Sequence, residues 1–311
     1  MKPSAIQQFF AYARERYRIR LKRNAGEPRP WTQDPLLLKY SFTEVFREDD
    51  RTTAWLRKYV RDPFRDDPMV LPAVLIFRWF NRISTGEAIF CQLDIEGTAF
   101  ERFMKSGETN ALKVAIRKHC GEGPYVTGAY TINTRPAGRG LSKLDGVLRL
   151  IEMWFDSHDW RAPDLSSLEM FCKWCAMPGL GPFMTDQIAT DLRWTVLLEN
   201  APDIMTWANP GPGCAQGLNQ VFGRPPKQSV SVAQMIDEMR ALLALSQQPQ
   251  YWPAEWPRWE LHEVENCCCE FNKYKRGYSR RRYDGELSHV AGAQLTSMPA
   301  PTLPPGNPLD G

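Results

Sequence analysis

Five consecutive charged residues, Arg47, Glu48, Asp49, Asp50 and Arg51, stand between Phe42, Val45 and Phe46 on one side and Trp55, Leu56 and Val60 on the other. Spaced four apart, Arg47 and Arg51 share one face of a helix, where two guanidinium forks could close on a phosphate. Asp50 would orient them. A solvated cluster of i,i+4 neighbours is the plain alternative. Near the other end of the chain, Glu263, Asn266, Glu270 and Lys273 fall at intervals of three, four and three. Those spacings put them on one helix face, while Leu261, Val264, Cys268 and Phe271 pack on another. A polar stripe is most often exposed surface; facing a cleft, it would recognise a polar substrate, with Glu270 the preferred general base.

A third candidate is the stretch MPGLGPFMTDQIATDLRW. Gly179, Gly181 and Pro182 form a Gly-x-Gly-Pro corner between two helical patterns, and Phe183, Met184 and Thr185 follow it. Glycines in such a hairpin let backbone N–H groups approach a phosphate, and the next helix adds its positive end. A helix-hairpin-helix grips DNA in this way without reading bases; an ordinary connection between two packed helices would carry the same pattern. Thr127, Gly128 and Tyr130 in YVTGAY could line a base or phosphate pocket, or form an edge strand. Arg281 and the basic arm from Arg14 to Arg23 would touch the DNA backbone or remain solvated.

The cysteines give weaker signals. Cys172 and Cys175 have metal or redox spacing, but no second pair and no nearby His completes a tetrahedral site, so core packing is favoured. Cys267, Cys268 and Cys269 point in three directions from a helix and cannot chelate one ion. No metal and no cofactor is expected. Cys269 is a minor candidate for a nucleophile toward a pyrimidine.

The elements that must hold these residues are mainly α-helical. LPAVLIFRWFNRI predicts a buried helix. LSKLDGVLRLIEMWFDSHDW, SLEMFCKWCAM, VSVAQMIDEMRALLALSQQ and WELHEVENCCCEFNKYKRGY show hydrophobic spacings of three and four. Phe42, Val45 and Phe46, then Trp55, Leu56 and Val60, suggest helices on both sides of the charge cluster. The stretch 124–134 reads as a short strand or extended loop. We expect a helical domain over residues 1–286, in one body or in two lobes around a cleft, and a Pro-rich disordered tail over 287–311.

The chain has 311 residues, with 39 Lys+Arg against 36 Asp+Glu. A formal charge of +3 leaves DNA binding to local patches and not to a globally positive field. No apolar run is long enough to span a membrane, and the start lacks the apolar core of a signal peptide. With eight cysteines in a poor disulfide framework, a cytoplasmic protein is expected.

The corner resembles the LPGVGxKTA hairpin of helix-hairpin-helix DNA glycosylases. It is still more similar to that of the phage amino acid:DNA transferases, also described as α-glutamyl/putrescinyl thymine pyrophosphorylases. FTEVFREDDRTTAWL, YVTGAYTINT, WANPGPGCAQGLNQVFG and HEVENCCCEFNKYKR extend the resemblance over most of the chain. Phe183 and Met184 stand where glycosylases commonly carry a Lys, and PGPGCAQG occupies the region of their Asp, which argues against cleavage of a glycosidic bond.

The resemblance implies a glycosylase-like helical fold that flips a base from double-stranded phage DNA, inside the host cytoplasm. The substrate would be phosphorylated or pyrophosphorylated 5-hydroxymethyluracil, and an amino acid or polyamine would displace the phosphate. In that reading Arg47, Arg51, Thr127, Tyr130, Glu263, Asn266 and Lys273 bind substrate. Asp191, Glu270 and Asp50 are the candidates for proton removal or for orienting the amine. Gly179, Gly181, Pro182, Phe183, Met184, Thr185 and Arg281 hold the DNA. A glycosylase with relocated catalytic groups and a noncatalytic DNA-binding module are the alternatives. A kinase acting on hydroxymethyluracil would be expected to carry a GxxxxGK[ST] loop; GRGLSK at 138–143 lacks its spacing.

Overall fold

A computed structural model describes residues 4–277 and the backbone of residues 281–282. The expected tail at 287–311 and the side chain of Arg281 lie outside the described residues. The chain is mainly helical. In order it forms α1 (Ala5–Asn24), α2 (Pro35–Lys39), β1 (Tyr40–Ser41), α3 (Arg51–Leu56), α4 (Val70–Phe80), α5 (Ile83–Gly86), β2 (Leu93–Asp94), β3 (Gly97–Thr98), α6 (Ala99–Ser106) and α7 (Asn110–Cys120). Then follow α8 (Lys143–Ser157), α9 (Leu168–Cys175), α10 (Pro182–Leu192), α11 (Pro212–Val221), α12 (Val232–Ser246), α13 (Leu261–Lys275) and β4 (Arg281–Arg282). Among the described residues the strands make two short antiparallel pairs, β1 with β4 and β2 with β3. The stretch 124–134 forms no strand; it is an extended loop.

The chain divides into two units, one built from residues up to Asp50 and again from Pro202, the other running from Arg51 to Ala201. The first unit brings α1 and α2 together with α11, α12 and α13. Its core is unusually aromatic: Phe9 meets Phe10, Trp259 and Phe271 at centroid distances of 5.1, 6.1 and 5.6 Å. Edge-on contacts of this kind add to the burial of large apolar faces. α11 lies backbone to backbone on α13. A Cβ at Gly217 would stand 2.0 Å from the carbonyl oxygen of Cys268, and one at Gly213 would stand 2.5 Å from Cys269 Sγ. Glycines four apart therefore clear one stripe of α11, and that close approach fixes the rotation of α13.

In the second unit, every residue of α4 from Val70 to Phe80 is buried. It ends because Asn81 adopts a left-handed conformation, φ 46° and ψ 42°, a region that Asn tolerates better than most residues. Trp55 of α3 stacks on Phe77 of α4 at 5.3 Å, and both rings pack where a side chain at Gly86 would otherwise project. The helix pattern expected for residues 42–60 holds only in part. Residues 42–46 are irregular, Arg47–Asp49 make one 3-10 turn, and Asp50 is extended at φ −66°, ψ 134°. Helix resumes at Arg51 and widens into a π-helical turn over Arg57–Arg61.

Candidate functional site

In the first unit, residues 42–50 are held from two sides by α1 and α13. Arg16, 1% exposed, donates through Nη2 to the carbonyl oxygens of Phe42 at 2.8 Å and Thr43 at 3.3 Å, with Glu44 Oε2 at 3.6 Å. Arg23 reaches the other Glu44 oxygen at 2.9 Å, and Arg20 reaches Asp49 at 2.5 Å. These arginines, spaced four and three apart, form one stripe of α1 that pairs with the acidic side chains of residues 44–49. From α13, Glu270 Oε2 accepts the Thr43 N–H at 3.1 Å, and Lys273 pairs with its other oxygen. Asn266 donates to the Glu44 carbonyl oxygen at 2.9 Å and accepts from Thr43 Oγ1 at 3.3 Å.

Asp50 closes the network by accepting the Glu44 N–H at 3.2 Å. Burial pushes its carboxyl up to about 6. The Glu44 N–H and the Arg47 charge oppose that rise, and the negative charges of Glu44 and Glu270 add to it. This is how a carboxyl becomes able to exchange a proton near neutrality. In the same unit, the buried Tyr12 hydroxyl has no hydrogen-bond partner. Desolvation, reinforced by Glu270, holds that phenol well above its ordinary range.

Asp50, Asn266, Glu270 and Lys273 therefore meet in one centre. Glu263 does not join them. It accepts the Glu260 N–H at 2.8 Å in the capping box of α13 and faces His262 Nε2 at 2.6 Å. Arg51 is separated from Arg47 by the break at Asp50: it is exposed and begins α3 in the other unit, so no helix face carries both. Glu44, Arg16, Arg20 and Arg23 were missed as site residues. The i, i+4, i+7 spacing of the three arginines was the available signal.

Glu260, His262 and Glu263 place three metal-type ligand atoms within 4.8 Å of one another. Both carboxylates already serve the N-terminus of α13, where a helix dipole disfavours a cation. The cysteines are also spoken for. Burial pushes the Cys269 thiol up to about 12, far from the thiolate that nucleophilic attack requires. Cys172 and Cys175 are buried, and Cys175 contributes its carbonyl oxygen to Trp154 Nε1 at 3.0 Å.

In the second unit, Asp191 is fully buried and both its oxygens are taken by Arg78, at 2.5 Å from Nε and 2.7 Å from Nη2. Arg78 also donates to Asn81 Oδ1 and Thr53 Oγ1. The expected proton acceptor is thus half of an ion pair that joins α4 to α10. Removing either partner would leave a buried charge uncompensated.

The segment between α9 and α10 is a tight corner. Met177 and Leu180 exchange backbone hydrogen bonds, and Gly179 takes φ +96° with its Cβ direction filled by Leu150. Gly181 caps α10 without a side chain, and Pro182 opens it. Phe183 is 53% exposed, whereas Met184 and Thr185 are buried and belong to the core. Against the corner lies the loop after α7. Its Thr127 N–H reaches the Phe80 carbonyl oxygen at 2.8 Å, and its Tyr130 hydroxyl donates to Gln187 Oε1 at 2.9 Å. Tyr130 therefore faces α10 and is not a free stacking surface. Residues 117–143 hold five Lys/Arg, five Gly and a single acidic residue, Glu122. That concentration of positive charge was overlooked as a nucleic-acid signal. A cleft between the start of α7 and α8 is lined by Lys113, Asp145, Arg149 and Glu152, whose charges pair with one another at 2.7 and 3.0 Å.

Residues 3–282 match the family described as "5-hmdU DNA kinase, helical domain", and the chain belongs to that family. It is 28% identical over 285 residues to the 5-hmdU DNA kinase of Bacillus phage SP10, a match covering 83% of this chain and 43% of that protein. The chain thus spans less than half the length of that relative. No solved structure matches. The resemblance to phage enzymes of thymine hypermodification holds at the level of the group, but the transferase assignment is overturned. The family and the relative carry the name of a phosphorylating enzyme, and neither an amino acid or polyamine co-substrate nor a glycosylase-like scaffold receives support. Among the described residues no helix is long and apolar enough to cross a membrane.

Proposed function

We propose that this chain recognises DNA bearing 5-hydroxymethyluracil and presents the hydroxymethyl group for phosphorylation. The observation that carries the proposal is the family match over residues 3–282. The glycine-rich loop between α7 and α8, with its exposed Arg135 and Arg139 and packed on the α9–α10 corner, supplies the phosphate-backbone contacts of this reading. The chain has no GxxxxGK[ST] segment, so we assign to it the nucleic acid and not the nucleoside triphosphate.

The test is binding of the full chain to matched duplexes containing 5-hydroxymethyluracil or thymine, followed by nucleoside mass analysis after addition of ATP. Preference for the modified duplex is expected. Equal affinity for both duplexes, or no binding to either, refutes the reading. A phosphorylated nucleoside formed by the chain with ATP would place the nucleotide site within these residues and overturn the division of labour.

A further inference from the structure

Phe183 stands in the first turn of α10, 53% exposed although its neighbours Met184 and Thr185 are buried. Its ring meets Tyr130 edge-on, with centroids 5.0 Å apart and planes at 88°. Tyr130 is in turn tied through its hydroxyl to Gln187, one helical turn beyond Phe183. The base beneath is stiff. The Met177–Leu180 bridge, the filled Cβ direction of Gly179 and the buried face of α10 leave the corner little freedom. An exposed ring braced in this way loses little conformational entropy when something stacks on it. The loop between α7 and α8 that carries Tyr130, residues 121–142, holds the exposed Arg135 and Arg139 against one acidic residue, Glu122, which favours a polyanion over an apolar protein surface.

We propose that Phe183 is a stacking platform for a nucleobase of the bound DNA, with Tyr130 as its brace. The inference rests on the DNA-recognition reading above and adds to it a base contact that phosphate binding alone would not make. Aromatic stacking is tolerant of base identity, because every base presents a π face. The platform thus serves to hold an unstacked base near the modified one and does not itself read the hydroxymethyl group.

The experiment is fluorescence-anisotropy binding of the full chain to a 5-hydroxymethyluracil duplex over a range of salt, with Phe183→Ala, Phe183→Trp and the double variant Arg135→Ala/Arg139→Ala. Phe183→Ala is expected to weaken binding about five- to 150-fold, the range for loss of one stacked base. Its salt slope should stay unchanged and Phe183→Trp should restore affinity. The double arginine variant should reduce the salt slope. If Phe183→Ala binds within twofold of the parent while the arginine variant is weakened, DNA recognition stands and the stacking platform is overturned. If the parent itself binds no DNA, the proposed function fails, and this inference with it. Because Phe183 projects into solvent, circular dichroism of the alanine variant should match the parent.

Discussion

Replacing Asp50 with Asn should make the protein more stable at neutral pH and less so relative to the parent as the solution is acidified. The reason lies in the surroundings of the carboxyl. Burial raises it from 3.8 to about 6, helped by Glu44 and Glu270 and opposed by Arg47 and the Glu44 N–H. Below pH 4 the group is protonated in both the folded and the unfolded chain, and it contributes nothing to the pH dependence. Between pH 4 and 6 the unfolded chain gives up its proton while the folded chain retains it, so stability falls as pH rises. Above pH 6 the ionised group costs the fold about 3 kcal/mol, an upper value from 1.36 kcal/mol for each tenfold change in proton affinity. Asn retains an oxygen that can accept the Glu44 N–H and removes the charge. Urea unfolding at pH 4.5, 6 and 8 should therefore show Asp50→Asn gaining about 1–3 kcal/mol over the parent by pH 8, with the difference shrinking toward pH 4.5. A variant destabilised at pH 8, or offset by the same amount at all three values, would refute the assignment.

Three further outcomes follow from single contacts. Gly217→Ala places a methyl group 2.0 Å from a backbone oxygen of α13, so thermal unfolding should report a loss of about 3 kcal/mol or more. Arg78→Met leaves the Asp191 carboxylate buried without its guanidinium and should cost about 3–5 kcal/mol in urea unfolding, whereas Arg78→Met combined with Asp191→Leu should recover part of the loss. Cys269, with its thiol pushed up to about 12, should react with iodoacetamide at pH 7.5 far more slowly than a free cysteine peptide, followed by peptide mass analysis, and Cys269→Ser should leave hydroxymethyluracil recognition intact.

Much of the helical framework was legible because it is encoded locally. The apolar run from Val70 to Phe80 could only be a buried helix, and the spacing of Asn266, Glu270 and Lys273 placed them on one face of α13. What they face was not legible, since Thr43 and Glu44 are more than 220 residues away in the chain. Asp191 illustrates the same limit: its helix could be read, but its role depends on Arg78, 113 residues earlier. Arg47 and Arg51 failed for a different reason. An unbroken helix was assumed where the extended backbone of Asp50 interrupts it, and that residue spends its side chain on the Glu44 N–H. The reaction itself was misjudged because motifs such as the α9–α10 corner describe how a scaffold is built, and scaffolds outlast changes in the chemistry they support.

The order in which the ribosome delivers the two units imposes a schedule on folding. Residues 51–201 are contiguous and hold their own buried core, so they can settle while synthesis continues. The opening helix has no such option: Phe9 waits for Trp259 and Phe271, some 250 residues downstream, before its ring is covered. At typical translation rates of about 5–20 residues per second, that interval lasts on the order of ten seconds or more, with an aromatic surface exposed throughout. Nascent chains arrested short of α13 should therefore be the species that chaperones capture and proteases cut. Moving residues 4–50 to follow α13 by circular permutation should shorten that vulnerable period.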